Sequence, residues 1–267
     1  MRTENARIID IRKLAENVFG ILFEAAMAGE AGPGQFVMVR PHSDSRLLMR
    51  PISICDLDSE RRLLRLVFRV AGKGTEEFSR ARVGDHYSIM GPLGNGFPLE
   101  AAAGKSHIAL MGGGIGAPPL LNLLRMLRRR ADRGDISARI SVYLGYRSME
   151  DGLFLKDEFE PLANVVVSTD DGSAGVKGTA LDGLSQAGTA PDLIYACGPL
   201  PMLSAIRKYA SKEGIDAYIS LEERMACGVG ACLGCMVKTT KEDHHSHVKL
   251  SRICTEGPVF LSRDVEI

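Results

Sequence analysis

The sequence has no excess of charge of either sign and no long apolar run. Its 267 residues carry 33 Lys and Arg against 33 Asp and Glu, so the formal net charge at pH 7 is zero. A balanced chain exerts no field that would draw it to nucleic acid or to an anionic membrane. No stretch approaches the roughly 18 apolar residues of a membrane span, and residues 1–10 contain no apolar signal segment. We therefore expect a cytoplasmic protein that acts on small molecules or on other proteins.

Motifs of hydrolytic enzymes are also missing, since neither GxSxG nor HExxH occurs. The chain has no internal repeat and only six cysteines. Because disulfides are rare in a reducing compartment, clustered cysteines indicate metal binding or redox chemistry. With 45% hydrophobic residues, the chain can form one large or two medium domains plus a small module.

Short β-rich runs occupy the first hundred residues. Segments such as "ARIIDIRKLA", "GQFVMVR", "LLRLVFRV" and "HYSIM" are separated by turn formers such as "AGEAGPG" and "RVGD". Several short strands joined by Gly- and Pro-containing turns predict a small antiparallel barrel or sandwich.

Between about 105 and 218 the pattern changes to buried strands alternating with helices. The strands are "HIALM", "RISVYLGY", "NVVVSTD" and "DLIYACG", and the helix 117–132 carries Leu120, Leu123, Leu124 and Leu127 on one face. This alternation predicts a parallel sheet with right-handed crossovers. The glycine- and cysteine-rich residues after about 219 fit neither pattern and indicate a third, small unit.

A glycine run follows the first strand of the α/β part, in "ALMGGGIGAPPL". Gly112, Gly113, Gly114 and Gly116 would let a phosphate or a ring approach the backbone at a helix N-terminus. The run departs from GxGxxG, because Pro119 stands where the third glycine is required. It is a candidate for dinucleotide binding, and a glycine turn needed only for packing is the alternative.

The strand "DLIYACGP" ends in Cys197, Gly198 and Pro199. A strand that ends in a small, sharply turned triplet leaves room at the carboxyl edge of a sheet, where ligands of open α/β sheets bind. For Cys197 by itself, a small buried residue at a strand end is an equally good interpretation.

Three loops of the β-rich part suit a bulky anionic cofactor. In "LLMRPISICD", Arg50 could pair with a phosphate, Pro51 stiffens the turn, and Ser53 can hydrogen-bond a polar ring. Downstream, Arg69 precedes the glycine turn "AGKGT", and "GPLGNGF" closes the domain.

The cysteines Cys227, Cys232 and Cys235 have the spacing C-x4-C-x2-C, and Cys254 follows after eighteen residues. Plant-type [2Fe–2S] sites have this local spacing, and glycines beside the ligands can turn N–H groups toward sulfur. A Cys₄ zinc site is the structural alternative. The histidines at 244, 245 and 247 between the last two cysteines are interpreted as exposed loop residues, because four cysteines already complete a ligand set.

Five motifs in this order, "RPIS", "GKGT", "GPLGNGF", "GGGIGAPP" and "CGP", resemble those of the ferredoxin reductase superfamily. The tail "CGVGACLGC" with the later "RICTEGPVF" resembles one branch, the electron transfer subunits of NAD-dependent (type B) dihydroorotate dehydrogenases. The resemblance implies a multidomain β + α/β protein. Its parts would be an antiparallel FAD-binding β-barrel (1–101), a Rossmann-like parallel α/β NAD-binding domain (102–218) and a small C-terminal [2Fe–2S] module (219–267).

The resemblance also implies the residues that bind each cofactor. For FAD they are Arg50, Pro51, Ile52, Ser53, Val67, Phe68, Arg69, Gly74 and Thr75. For NAD they are Gly112, Gly113, Gly114, Gly116, Cys197, Gly198 and Pro199. For the cluster they are Cys227, Cys232, Cys235 and Cys254. No side chain is required as a catalytic acid or base.

The implied function is electron transfer between NAD⁺ and a catalytic subunit that carries FMN and oxidises dihydroorotate in pyrimidine biosynthesis. Two such subunits and two catalytic ones would form a heterotetramer. A reductase for an oxygenase, a hydrogenase or a ferredoxin-coupled complex is the alternative within the superfamily, and a nucleotide-sensing module with a zinc site lies outside it. The choice of NAD or NADP stays open, because Arg147 could favour a 2′-phosphate that Glu150 and Asp151 could oppose.

Overall fold

A closed antiparallel β-barrel forms the first part of the fold. The computed structural model of the chain describes residues 1–43, 45, 47–242 and 247–267. Within those residues the barrel strands are β1 (Arg2–Ala15), β2 (Val18–Glu24), β3 (Phe36–Val39), β4 (Arg50–Asp58), β5 (Leu63–Arg69) and β6 (His86–Leu93). Their order around the barrel is β1-β2-β5-β4-β3-β6, and β6 pairs with β1 to close it.

The barrel exists because its strands alternate between inward and outward residues. Along β6, every second residue is buried, as a strand with one face on a core requires. Phe23, Ile54, Leu64 and Ile89 are almost fully buried in this interior. The barrel predicted from the short β-rich runs is therefore confirmed.

Two segments interpreted as turns belong to regular elements. The "RPIS" stretch begins β4, where Pro51 lies opposite Met38 of β3. Proline has no N–H to donate to a neighbouring strand. It is tolerated at the start of a strand because that hydrogen bond is not needed there. The "GKGT" stretch opens helix α1 (Lys73–Ser79), in which the Thr75 hydroxyl accepts hydrogen bonds from the backbone N–H groups of Ala71 and Gly72.

A mostly parallel sheet follows the barrel. Its strands are β7 (His107–Gly113), β8 (Arg139–Tyr146), β9 (Asn164–Thr169), β10 (Val176–Lys177), β11 (Leu193–Cys197) and β12 (Asp216–Ser220). The helices between them are α2 (Ala117–Asp132), α3 (Lys156–Phe159), α4 (Ala180–Ala187) and α5 (Leu200–Glu213). The strand order in the sheet is β10-β9-β8-β7-β11-β12. Strand β7 lies inside this order, between β8 and β11, and is buried along its whole length.

Helix α2 has the predicted bounds and the predicted buried face. Leu120, Leu123, Leu124 and Leu127 are all 0% exposed, and two prolines lie in its first turn. A proline is well accommodated there because the first N–H groups of a helix have no intrahelical partner. The helix lies between the sheet and the barrel.

The C-terminal residues add three short strands, β13 (Met236–Lys238), β14 (Leu250–Arg252) and β15 (Val259–Leu261). The first two form a small antiparallel sheet, whereas β15 pairs with β12 and extends the large sheet by an antiparallel edge strand. The tail is thus joined by backbone hydrogen bonds to the α/β part. Among the described residues, no helix is long and apolar enough to cross a membrane.

Candidate cofactor and cluster site

The four cysteines of the tail lie in two pairs. Cys227 is in hydrogen-bond contact with Cys232, and Cys254 is in contact with Cys235. The second pair is buried, with 2% exposure at each residue, whereas Cys232 is exposed. One side of the site therefore faces the interior and the other faces the surface.

Backbone N–H groups surround the sulfur atoms. Val229 and Cys232 donate to Cys227 Sγ, both at 3.4 Å, and Gly230 donates to Cys254 Sγ at 3.2 Å. Gly234 donates to Cys232 Sγ at 3.4 Å. Such donors stabilise thiolates and tune the potential of a cluster. The expectation that glycines beside the ligands turn N–H groups toward sulfur is confirmed.

The thiols of Cys227 and Cys254, one on each side of the site, differ in pKa. Burial opposes ionisation of Cys227, but the N–H groups of Val229 and Cys232 outweigh it and lower its pKa to about 6. Burial raises the pKa of Cys254 to about 11, and the adjacent Cys235 adds to that rise. Cys227 is therefore closer than Cys254 to the thiolate form that metal binding requires.

The paired arrangement fits a [2Fe–2S] cluster, in which each iron takes two of four thiolates. In the parts of the chain that the structure describes, no three His, Cys, Asp or Glu side chains converge to hold one metal ion. His247 is exposed, as expected. The other two histidines of the insert, His244 and His245, lie outside the described residues.

Two of the three predicted cofactor loops of the barrel, "RPIS" and "AGKGT", meet at one place. A Cβ atom on Gly74 would lie 2.6 Å from Arg50 Nε, so the guanidinium lies directly over the start of α1. Only glycine permits this approach. The positive charge beside the N-terminal turn suits a phosphate group.

The remaining candidates of the barrel differ in exposure. Val67 and Phe68 are 3% and 4% exposed, and the Phe68 ring packs edge-on against Phe78 in the barrel core. These two can therefore offer a ligand little more than backbone groups. Ile52 is also buried, whereas Arg69, at the end of β5, is half-buried.

The glycine run and the "CGP" triplet meet at the carboxyl edge of the sheet. Strands β7 and β11 are neighbours, with Gly112 opposite Cys197. A Cβ atom on Gly116 would lie 2.2 Å from the carbonyl oxygen of Cys197, and one on Gly113 would lie 2.7 Å from the ring of Pro199. Because the strand order reverses between β7 and β11, this edge is the switch point at which open α/β sheets bind ligands.

The thiol of Cys197 is held in place across the sheet. Ser220 lies opposite it on β12, and the two side chains are hydrogen-bonded. Burial raises the pKa of Cys197 to about 12. The thiol is therefore protonated at neutral pH.

An acidic pair that the sequence patterns did not single out, Asp170 and Asp171, directly follows β9. The N–H of Asp170 donates to the Tyr146 carbonyl at 3.1 Å and that of Asp171 to the Arg147 carbonyl at 3.3 Å, so the loops after β8 and β9 are joined. The available signal was an acidic pair directly after the buried run "NVVVST".

Comparison with known proteins connects these sites. Residues 6–97 match the oxidoreductase FAD-binding domain, and residues 222–266 match the iron-sulfur cluster binding domain of dihydroorotate dehydrogenase B. The chain is 38% identical to the dihydroorotate dehydrogenase B (NAD(+)) electron transfer subunit of Lysinibacillus sphaericus (strain C3-41) and 40% identical to that of Shouchella clausii (strain KSM-K16). Each alignment covers 97% of both chains.

Solved structures agree with this. An NADH-dependent reduced ferredoxin-NADP oxidoreductase superposes with a TM-score of 0.84 at 29% identity, over 98% of this chain and 90% of that one. The Amycolatopsis cytochrome P450 reductase GcoB superposes with a TM-score of 0.65 at 21% identity, over 79% and 66%. The second likeness shows the fold alone.

These findings place the protein among oxidoreductases that use a flavin and an iron–sulfur cluster on a ferredoxin reductase fold. Since it aligns with the named relatives over almost their entire length, the chain belongs to the family of dihydroorotate dehydrogenase B electron transfer subunits. The fold class and the family expected from the sequence are confirmed.

Proposed function

We propose that the protein passes electrons between NAD⁺ and the FMN of a dihydroorotate dehydrogenase catalytic subunit, through FAD and a [2Fe–2S] cluster, in UMP biosynthesis. The observation that carries this proposal is the paired-cysteine loop with its four N–H donors, in the same chain as the flavin-type barrel and the glycine-lined sheet edge. Such a chain has a place for each of three redox groups.

The residues assigned to each group follow the sequence expectations. FAD is held by residues 50–53, 67–69 and 74–75 of the barrel domain, 1–101. NAD is held by Gly112, Gly113, Gly114, Gly116 and residues 197–199 of the α/β domain, 102–218. The cluster is held by Cys227, Cys232, Cys235 and Cys254 in the module 219–267.

The chain's own residues bind and orient these groups. FAD, when bound, accepts two electrons from NADH as a hydride and passes them on singly. Arg50 neutralises phosphate charge above Gly74, and Thr75 fixes the turn beneath it. The glycines of the sheet edge permit close approach of a nicotinamide, and the protonated Cys197 offers it a neutral surface. The N–H groups around the sulfurs stabilise the negative charge of the ligands.

The partner is a catalytic subunit with FMN, in a complex of two plus two chains located in the cytoplasm. Electrons leave or enter at the outer cysteine pair, Cys227 and Cys232, of which Cys232 is exposed. The docking surface that we propose beside it is the apolar patch of Met225, Leu233 and Met236. Leu233 is 59% exposed, whereas Met225 and Met236 are half-buried. Leu233 is therefore the strongest apolar contact that this patch offers.

A reductase for a ferredoxin-coupled complex is the second candidate, because the solved NADH-dependent ferredoxin-NADP oxidoreductase superposes over nearly all of this chain. Both functions use the same cofactors, so the electron acceptor decides between them.

Purification of the tagged protein from its own cells, followed by spectra of the complex, tests the proposal. We expect copurification of an FMN protein, flavin and iron absorbance, and reduction of that FMN by NADH under anaerobic conditions. A colourless protein, or one that reduces ferredoxin while leaving the FMN protein oxidised, would contradict it.

A further inference from the structure

The "GPLGNGF" segment at the end of the barrel also contacts the C-terminal tail, at residues 255–257. Asn95 Nδ2 donates to the carbonyl oxygens of Thr255 and Glu256, both at 3.1 Å. The Asn95 N–H donates to the Gly257 carbonyl at 2.5 Å. Three hydrogen bonds from one barrel residue thus hold the three residues that follow Cys254.

The backbone on either side of Asn95 is shaped for this contact. Gly94 has φ +72°, and a Cβ atom on it would lie 2.6 Å from both the Gly257 carbonyl oxygen and the Pro258 ring. Gly96 approaches the barrel itself, since its Cβ would lie 2.1 Å from the Pro33 carbonyl oxygen. The two glycines therefore permit a close approach that a side chain would block.

The other side of the cluster loop also lies on the barrel. Gly228, next to Cys227, has φ +72°, and its Cβ would lie 2.8 Å from Met38 Cγ and 3.4 Å from Leu93 Cδ1. Met38 lies on β3 and Leu93 on β6, and these two strands pair with each other. The Cys227 arm of the cysteine loop therefore lies against β3 and β6, and the Cys254 arm lies against the segment that directly follows β6.

This pair of strands adjoins the flavin loop. Met38 is opposite Pro51 in the β3–β4 ladder, and Phe36 is opposite Ser53. The cluster loop is thus one strand away from the segment 50–53. Any movement of the tail on the barrel changes the separation between that segment and the cysteines.

We propose that Asn95 is a positioning residue that fixes the Cys254 arm on the barrel and so sets the separation between flavin and cluster. This inference rests on the proposed function, in that it requires FAD in the barrel and a cluster on the cysteines. Electron transfer falls steeply with distance, so a small displacement slows it, whereas hydride transfer at the sheet edge is unaffected. Asn95 acts through the Thr255, Glu256 and Gly257 carbonyls and touches no ligand sulfur.

The test compares Asn95→Ala and Asn95→Asp with the wild type. Alanine removes two hydrogen bonds but keeps the N–H, and aspartate keeps the size while placing acceptor oxygens against two carbonyls. Asn164→Ala is the matched control, because Asn164 is an exposed asparagine at the start of β9, in the other half of the molecule. Flavin, iron and sulfide are quantified first in every protein.

Two readouts are used. Amide hydrogen exchange at position 95 reports on the N–H that bonds the Gly257 carbonyl, and we expect it to accelerate about tenfold in the alanine variant because two supporting hydrogen bonds are lost. In anaerobic stopped-flow experiments with NADH, we expect an unchanged rate of flavin reduction. The following reduction of the cluster should slow by about tenfold, as small misplacements of reacting groups do.

The outcomes separate the two proposals. Wild-type protein that binds no FAD or no cluster would overturn the proposed function itself. Loaded variants with wild-type exchange and wild-type cluster reduction would overturn the role of Asn95. Equal slowing of the flavin and cluster steps would also overturn it, since that result indicates general damage. An aspartate variant at least as slow as the alanine variant, with the control unchanged, supports it.

Discussion

Replacing Gly74 with alanine tests whether Arg50 binds the phosphates of FAD. The new Cβ would lie 2.6 Å from Nε of Arg50, closer than these atoms can approach, and 3.1 and 3.2 Å from Cζ and Nη2, which is also tight. The guanidinium is the far end of a flexible side chain, so it moves while the backbone stays. Position 74 lies in α1, where alanine is favoured over glycine by about 1 kcal/mol. We therefore expect unchanged or slightly raised stability.

The affinity of the Gly74→Ala variant for FAD should fall, although the stability of its fold does not. A hydrogen bond to a charged group contributes about 1.5–3 kcal/mol. Its loss corresponds to a rise of about 10- to 150-fold in the dissociation constant. Titration of the flavin-free protein with FAD, followed by flavin fluorescence, measures this change, and a thermal melt of the same sample measures stability.

Gly29→Ala is the matched control for this prediction. Gly29 also lies in the barrel part, and its Cβ would meet no atom within 4 Å. In a double-mutant cycle, Gly74→Ala should add nothing to Arg50→Ala, because both remove the same contact. Wild-type FAD affinity in Gly74→Ala would refute the reasoning, as would a loss that persists in full on top of Arg50→Ala.

Three further predictions concern the other sites. We propose that Asp170, on the loop that is hydrogen-bonded to Tyr146, opposes the 2′-phosphate of NADP. Asp170→Ala should then raise kcat/KM for NADPH about fivefold, the effect of removing a like charge that repels by about 1 kcal/mol; an unchanged NADPH to NADH ratio would refute this role. Cys232→Ser should leave flavin reduction by NADH intact but abolish reduction of the partner's FMN, measured anaerobically, and a fully active variant would disprove the electron path. Because burial raises the pKa of Cys197 to about 12, its thiol stays protonated below that pH and loses its proton only above it. The rate of flavin reduction should therefore show no inflection from this group near neutral pH, and an inflection that Cys197→Ala removes would contradict the assignment.

Local patterns were sufficient for the elements whose burial repeats along the chain. Helix α2 was predicted with its bounds because four leucines share one face and two prolines open it. Strand β8 was also predicted with its bounds, since it contains a run of five consecutive buried residues. The cysteine loop was found from spacing, because the ligands and their glycines are close in sequence.

Elements whose form depends on distant partners were not predictable in this way. The "RPIS" stretch becomes a strand because β3 pairs with it, and the short β12 forms between β11 and β15. The role of "GPLGNGF" depends on the tail, 160 residues further along the chain from Asn95 to Thr255. Local composition correctly indicated a close backbone approach there, but it could not identify what approaches.

The six residues 254–259 explain how one chain can hold three redox groups in fixed relation. Cys254 is a proposed cluster ligand, Gly257 and Pro258 lie against Asn95 of the barrel, and Val259 pairs with Ser220 in the sheet. Ser220 in turn bonds the thiol at the dinucleotide edge. The small sheet β13–β14 has three residues in each strand, too few for independent stability. The cluster loop therefore takes its shape from the barrel and the α/β sheet together, and this shared support holds the cysteines at a fixed position between the flavin loops and the dinucleotide edge.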